Sequence, residues 1–556
     1  MYHNQNSFSF FCNKVLPLFI AVMSCGMLVM AQRDTTKTQS INITSSYKPV
    51  LRNAVKINFS GTQLEADTNR SVRGYNIPSQ NLFYAYQPIS LKPLALQQDS
   101  NLYLGGRNFV KAGFGSYTTP FVSAGLSFGD GKTSLVNVYG HYTGSKGDIR
   151  NQDFTELAVK ATGSYFTPKN EIYASADVSR KDFYFYGYDH FLYDPKKEDI
   201  RQQFQEFNVS AGIRNTVAND YGINYNPQVR VGFFTNTDRL TETTFGFTLP
   251  VEKKFGEKIL AKLELQGDFT GYSTRNQASN RSFNNDVLQL SPSIVYSVPR
   301  FTINAGIIPV WDNGQFRYLP NIYAEGQLQE KVFLIQAGWV GRIVKNTFGN
   351  LSKINPYLAI MNNQANTRET ELYGGIKASI GKHFTFSAKA GLVTYSNFPI
   401  FINDYSGGAD GRQFVVRHEP SMNNFRIHGD LSFISQDKFT ATAGLNLNGY
   451  TGMDVNDKAW NTIPMEFTGA LRWWAFKRVM LKGDFYMFGG GKYLDKGNSS
   501  MSFKGGSDLS AGAEFKINRQ FSAFLDVNNI FGNKYERWHQ YEVYGLNLLG
   551  GIIIHF

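Results

Sequence analysis

This sequence predicts an exported, all-β chain that spans a membrane as one closed antiparallel barrel. Three observations carry that expectation: a short apolar segment near the N-terminus, long stretches in which apolar and polar residues alternate, and a final alternating strand that ends on Phe556. The 556 residues exceed the usual size of a soluble domain, but a barrel grows strand by strand without starting a new core. Aromatic residues make up 15% of the chain and charged residues 18%, with 52 glycines. That mixture suits aromatic girdles, crowded strand contacts and a wet interior.

Lys14 precedes the apolar run Val15-Leu16-Pro17-Leu18-Phe19-Ile20-Ala21-Val22-Met23, which continues to Ala31 and gives way to Gln32-Arg33-Asp34-Thr35. A basic start, a short apolar core and an abrupt polar shift describe a secretory signal peptide over residues 1–31. The run is shorter than the ~20 residues a spanning helix needs. Val22-Met23-Ser24-Cys25 matches a lipidation box poorly, so cleavage near Gln32 without a lipid is expected. Both cysteines, Cys12 and Cys25, fall in this segment, which leaves the exported chain without disulfides or thiolate chemistry. Nothing later is long and apolar enough for a membrane helix. An exported chain of that kind satisfies its backbone polar groups in lipid only as a closed barrel. The net charge of +12 suits acidic lipopolysaccharide or an anionic solute, and no pattern reads nucleic acid.

The alternation sets the strands and their faces. Phe439, Ala441, Ala443, Leu445 and Leu447 point one way, and Thr440, Thr442, Gly444, Asn446 and Asn448 the other. The same dyad runs through residues 384–392, through Ile259 to Gln266, and around Val479 to Phe485. Charges sit mid-strand on the polar face, which in a membrane barrel lines the lumen. Tight turns are expected at 129–132, 167–170, 298–300, 329–331, 380–383, 435–438, 476–478 and 518–520, with looser ones at 215–222 and 251–258. Longer connections fall between them, such as 181–203, 346–366, 397–423 and 490–505. Short periplasmic turns alternating with long external loops are the asymmetry of an outer-membrane barrel. Ten such turns imply about 22 strands, within a range of 18–22, over residues 106–556. Residues 32–105 form a short N-terminal segment, periplasmic or lumen-filling.

The C-terminus is more specific. Gly551-Ile552-Ile553-Ile554-His555-Phe556 resembles the signal that the outer-membrane assembly machinery reads, with Gly551, Ile552, Ile554 and Phe556 as its candidate residues. Phe521-Ser522-Ala523-Phe524-Leu525-Asp526-Val527-Asn528-Asn529-Ile530-Phe531-Gly532-Asn533-Lys534-Tyr535 resembles the penultimate strand of TonB-dependent receptors, where a Tyr precedes a short loop and the closing strand. Trp538 and Tyr541 continue the likeness, which covers the C-terminal piece and is architectural over the rest. Such receptors carry a globular plug, for which residues 32–105 are too short, and no TonB-box-like stretch stands out. The stretch 41–57 and Tyr84-Ala85-Tyr86-Gln87-Pro88 look like plug-less receptor-like barrels of Bacteroidota, which places energy coupling in doubt.

No catalytic, cofactor or metal constellation is expected. Gly125-Leu126-Ser127-Phe128-Gly129 matches a nucleophile-elbow pattern but continues a strand instead of turning into a helix. Gly489-Gly490-Gly491-Lys492 lacks the spacing of a phosphate loop and reads as a strand end entering a flexible loop. Asp404 and Asp410 with the glycines between them could hold Ca²⁺ in loop 397–423, but calcium needs several oxygen ligands at once and the loop lacks a recognisable repeat. The lumen-lining candidates are Lys262, Glu264, Lys389, Arg426, His428, Asp430, Glu466, Arg472, Lys482, Asp484, Glu514 and Lys516, joined by Asp526. Their mixed signs argue against strong ion selectivity.

Two functions follow from this pattern: transport of a small polar solute, or a structural or assembly role with an envelope protein partner. Lipid, lipopolysaccharide and the assembly machinery are the expected surroundings. Segment 32–105 carries Tyr47, Val50, Leu51, Phe83, Tyr84, Tyr86 and Leu94, so it is expected to run into the lumen and narrow it together with inward-folded loops such as 397–423. Replacing Phe556 with Asp should sharply lower the amount of barrel in the outer membrane while sparing export. Normal levels of a heat-resistant barrel in mild detergent would dismiss the terminal signal.

Overall fold

The computed structural model describes residues 108–275, 280–329, 333–381, 383–406, 409–435 and 438–556. The expected signal peptide 1–31 and segment 32–105 lie outside those residues. From Phe109 onward the chain forms a closed antiparallel barrel of 22 strands.

The first strands are β1 (Phe109–Gly115), β2 (Thr119–Phe128), β3 (Ser134–Ser145), β4 (Phe154–Phe166), β5 (Asn170–Tyr184) and β6 (Arg201–Asn215). Strand β7 has two parts, Ile223–Tyr225 and Gln228–Asn236, interrupted at Asn226-Pro227, where proline has no N–H to give the ladder. The tallest part of the wall follows: β8 (Leu240–Phe255), β9 (Ile259–Arg275) and the 19-residue β10 (Asn280–Val298). Next come β11 (Phe301–Asp312), β12 (Gln315–Gln329), β13 (Phe333–Val344), β14 (Thr367–Ile380), β15 (Phe384–Ser396) and β16 (Met422–Ser435). The ring ends with β17 (Phe439–Thr451), β18 (Met465–Phe476), β19 (Val479–Phe488), β20 (Gly506–Lys516), β21 (Phe521–Asn528) and β22 (Asn547–His555).

Every strand pairs with its sequence neighbours, and β22 also pairs with β1, from Phe109 opposite His555 to Gly115 opposite Leu549. Glycine makes this seam possible. A Cβ on Gly551 would collide with the Ala112 carbonyl, and one on Gly115 with the Leu548 carbonyl. Gly551 therefore has a packing reason of its own beside any role in assembly. Phe556 donates its N–H to the Asn108 carbonyl at 3.1 Å, which ties the two ends of the barrel together.

Each of the ten expected turns falls between consecutive strands on the rim that carries both ends of the barrel, but the one expected at 251–258 narrows to 256–258 because β8 runs on to Phe255. Residues 330–332, 382 and 436–437 within three of them lie outside the described set. In the 129–133 turn the Asp130 carboxylate accepts N–H groups of Lys132, Thr133 and Ser134 at 2.9, 2.7 and 3.1 Å. On the opposite rim the connections vary more than the sequence suggests. Asn313-Gly314 closes a two-residue hairpin with both residues at positive φ, 49° and 79°, the arrangement that matches strand twist. The loop before the closing strand corrects the short connection implied by the receptor likeness: residues 529–546 separate β21 from β22. Gly490 and Gly491 are packed tightly against the carbonyls of Phe503 and Thr462, so that stretch is a close crossing and not a flexible loop.

The two faces differ as alternation requires. Phe384, Leu392, Phe425, Leu431, Trp473, Phe515, Leu525, Leu548 and Ile552 are exposed large apolar side chains of the outer face. Ser127, on the other face of β2, donates its hydroxyl to Asn137 of β3 at 2.8 Å; it sits within a strand, not on an elbow. On β17, Ala443 lies opposite Leu431 and Gly469, and Thr442 opposite Ser432 and Ala470. Ala443→Arg should therefore cost about 2–4 kcal/mol near the midplane and Thr442→Arg much less. Equal costs in a refolding titration, or the reverse order, would refute this assignment of faces.

Candidate functional site: a paired-charge wall and a loop cap

The inner face carries ion pairs between strands one or two apart. Glu369 on β14 bridges Arg342 of β13 at 2.6 Å and Arg426 of β16 at 3.1 Å, and Arg426 also donates to the Tyr395 hydroxyl. Two residues along β14, Glu371 pairs with Lys389 of β15 at 2.7 Å, and the Lys389 ammonium lies 4.0 Å from the Tyr373 ring centroid. His428 joins Asp430 and Asn446, each at 2.6 Å. The amide of Asn446 reaches Glu466 at 3.3 Å, and the Tyr486 hydroxyl donates to the same carboxylate at 3.1 Å. Further round, Arg472 pairs with Asp484 at 3.0 Å, and Asp526 takes Lys482 at 2.7 Å and Lys111 of β1 at 3.7 Å.

The candidates on β15 to β21 thus share one arc of the wall, extended by Arg342 of β13 and Lys111 of β1. Glu514 and Lys516 share its face on β20, with the Lys516 ammonium 4.1 Å from the Trp474 ring centroid. Lys262 and Glu264 do not join it. They lie on β9, where Lys262 pairs with Glu252 of β8 at 2.9 Å and Glu264 lies opposite Pro250 and Ser291. Arg342, Glu369 and Glu371 were missed, although Glu369 and Glu371 sit two apart in Thr367-Arg368-Glu369-Thr370-Glu371 and so share one face. Such a wall offers donors and acceptors to a polar solute while cancelling most of its own field.

Above the wall, loops from opposite sides of the barrel meet in one apolar cluster. It takes Tyr186 and Tyr188 from loop 185–200, Phe348, Leu351 and Tyr357 from loop 345–366, Phe401 and Phe414 from loop 397–421, and Trp538 and Tyr541 from loop 529–546. Loop 185–200 is rooted between β5 and β6 and loop 397–421 between β15 and β16, ten strands apart in a ring of 22. Contact between them through Tyr541 therefore spans the mouth. The Tyr541 ring stacks on Tyr357 at 3.4 Å and meets Tyr186 edge-on at 4.9 Å, while Trp538 touches Phe401 and Phe414 at 5.3 and 5.5 Å. Such aromatic pairs add about 0.5–1.5 kcal/mol each beyond the area they bury.

Polar bonds fix the cluster. Tyr186 donates to the Glu542 carbonyl at 2.9 Å, Tyr544 to the Gln152 carbonyl at 2.6 Å, and Tyr541 to the Arg412 carbonyl at 2.5 Å. Burial pushes the Tyr186 phenol up to about 12 and those of Tyr357, Tyr541 and Tyr544 well above their usual value, so all four stay neutral donors. The hairpin Phe398–Asn403 with Phe414–Glu419 carries the 397–421 loop inward. Its last residue, Glu419, is fully buried and accepts the N–H groups of Asp454, Val455 and Asn456 at 2.7, 3.0 and 2.9 Å, and the Asn456 amide at 2.8 Å. One carboxylate thereby satisfies a whole turn of the neighbouring loop.

A cavity of about 390 Å³ lies between loops 185–200 and 397–421, lined by Tyr193, Asp194, Asp404, Asp410, Arg412 and Gln413. Asp404 is engaged by the N–H and hydroxyl of Ser406, and Asp410 by the Arg412 N–H and side chain. Among the described residues no group of three His, Cys, Asp or Glu side chains could hold a metal ion.

No protein-family model matches the chain, and no curated protein does. Solved structures do. The FrpB iron transporter from Neisseria meningitidis superposes over 81% of this chain and 81% of its own, with a TM-score of 0.62 and 11% identity. The siderophore receptor PirA from Acinetobacter baumannii matches over 81% and 80%, with a TM-score of 0.62 and 9% identity. The copper transporter OprC gives 81% and 82%, with a TM-score of 0.61 and 11% identity. At such identity the likeness is one of fold: this chain has the 22-stranded barrel architecture of outer-membrane receptors and transporters.

Glu419 generates a pH prediction. Burial alone would raise its carboxyl, but the hydrogen bonds from residues 454–456 outweigh that and hold it below the usual carboxylate range. A group lowered on folding stabilises above its unfolded pKa and loses that contribution as pH falls through the folded one. Acidification below the ordinary carboxylate range should thus loosen loops 397–421 and 452–464, read as a shift in Trp460 and Trp538 fluorescence. Glu419→Gln should cost roughly 1.5–3 kcal/mol of loop stability at neutral pH. It should also flatten the acid response; an unchanged acid transition in that variant would remove Glu419 from its cause.

Proposed function

We propose that the chain is an outer-membrane transport barrel for a small polar solute, closed at its outer mouth by its own loops. The observation that carries this reading is the single apolar cluster in which loops rooted ten strands apart meet, beside a wall of matched charges. A structural scaffold has no need of a sealed mouth over a polar interior. The neighbours in fold include proteins described as an iron transporter, a siderophore receptor and a copper transporter. The reading extends to this chain their general task, uptake through the lumen, and leaves the solute as small and polar.

The lumen wall from Lys389 to Asp526 is the face along which the solute would exchange its water for protein donors and acceptors. In this reading segment 32–105 narrows the inner half of the lumen, where a receptor would hold its plug. In this reading lipopolysaccharide surrounds the outer face, and the assembly machinery acts on β22.

Two closures in series make the reading testable in planar bilayers. Removing residues 40–100, or replacing Tyr357 and Tyr541 together with Ala, should each raise single-channel conductance. Both changes together should raise it several-fold beyond either. A doubly opened barrel that is folded and does not conduct, yet co-purifies with a stoichiometric envelope protein, would replace transport by a docking role.

A further inference from the structure

Loop 345–366 differs from the other loops of the cap because it leans on a distant wall. Its roots are β13 and β14, but its short helix α1 (Phe348–Ile354) lies against β6 to β8, with Phe348 against Phe204 and Phe234. One carboxylate makes the polar connection. Glu242 on β8 is 4% exposed. Its Oε1 accepts the Phe348 N–H and the Gln364 amide, both at 2.7 Å, and its Oε2 accepts the Gly349 N–H at 2.8 Å. It therefore grips the outgoing and the returning limb of the loop at once. Other anchors hold the loop elsewhere, among them two 2.8 Å backbone bonds that join Tyr357 and Ala359 to Phe414 of loop 397–421. Lys345 meets Asp268 and Thr270 beside the first root, and the Tyr272 hydroxyl donates to the Met361 carbonyl at 3.2 Å. Asn366 pairs with Asn285 at the second root. At the far end of α1, Lys353 meets Glu206 at 2.7 Å, but that Lys is 58% exposed and such a pair holds weakly.

We propose that Glu242 is the latch of a self-closing gate: it holds loop 345–366 across the lumen, and releasing that carboxylate frees the loop and opens the mouth. A helix of seven residues has little stability of its own. Its position depends on what it touches: the wall through Glu242, Phe204 and Phe234, and the centre of the cap through Tyr357 on Tyr541. An ionised carboxylate is acceptor-only and serves three donors, whereas the isosteric amide offers one oxygen and turns an NH₂ toward N–H groups that need acceptors. The latch sits on a β strand of the rigid wall and its load on a loop, which is the division a gate requires. Because it regulates the pore, the inference rests on the transport reading, but its movement can be followed without conduction.

The test uses a thiol reporter in the full-length chain, whose residues 108–556 contain no cysteine. Leu351, 1% exposed inside the cap, is replaced by Cys and labelled from outside with a membrane-impermeant maleimide. Labelling should be slow in the parent and at least about tenfold faster with Glu242→Gln. It should fall between the two with Gln364→Leu, which removes one donor and leaves the strands untouched. Unchanged labelling in a Glu242→Gln barrel that keeps its heat-modifiable mobility would overturn the latch. If Glu242→Gln does not assemble, unchanged labelling with Gln364→Leu overturns it. Faster labelling with no rise in conductance would keep the latch and count against transport.

Discussion

Lipid offers no partner to a backbone N–H or carbonyl, and from that constraint the rest of this structure follows. A sheet with an open edge would leave a row of polar groups unpaid in the bilayer, so the last strand must find the first. It does so through glycines. Gly115 and Gly551 have no room for a side chain because the carbonyls of Leu548 and Ala112 occupy that space. Once β1 and β22 are joined, the strand count decides the diameter, and 22 strands enclose more space than side chains alone can fill.

The interior answers that excess in two ways. Along the wall, charges are matched between strands one or two apart, with Glu369 shared by two arginines and Asp526 by two lysines. At the mouth, water is excluded by aromatic rings that reach inward from several loops. The two regions obey opposite economies of solvation: the wall keeps its charges wet or paired, and the cap keeps its tyrosines neutral and buried.

Local features were legible in the sequence, and distant ones were not. Strand faces follow from alternation, so Lys389, Arg426, His428 and Lys482 could be placed on the polar side from residue types alone. Turns such as 129–132 and 518–520 were legible because glycine, asparagine or aspartate mark them, whereas those at 298–300, 329–331 and 476–478 carry none of these and follow from where the alternation breaks. The cap was opaque because its contacts join distant points of the chain: Gln152 and Glu542 are 390 residues apart. Tyr541 and Trp538 drew notice only through a likeness to receptor C-termini, which implied a short loop where an 18-residue one folds over the mouth. Glu242 carried no signal at all, since a Glu among threonines at a strand end looks like any solvated rim residue until α1 is seen to rest on it.

The unequal strands have a consequence for the membrane itself. The seven residues of β1 reach about 24 Å along the strand and, at a tilt near 40°, about 18 Å across the bilayer. The apolar band of such a barrel is ordinarily about 25 Å tall, and β10 with its 19 residues exceeds it amply. The strands therefore fill less of that band beside the seam, where β1 lies between the nine-residue β22 and the ten-residue β2, than on the opposite flank. Where a wall is shorter than the hydrocarbon it meets, lipid thins at an elastic cost that falls when two such walls adjoin, so the seam is the flank on which any mismatch of this barrel is concentrated.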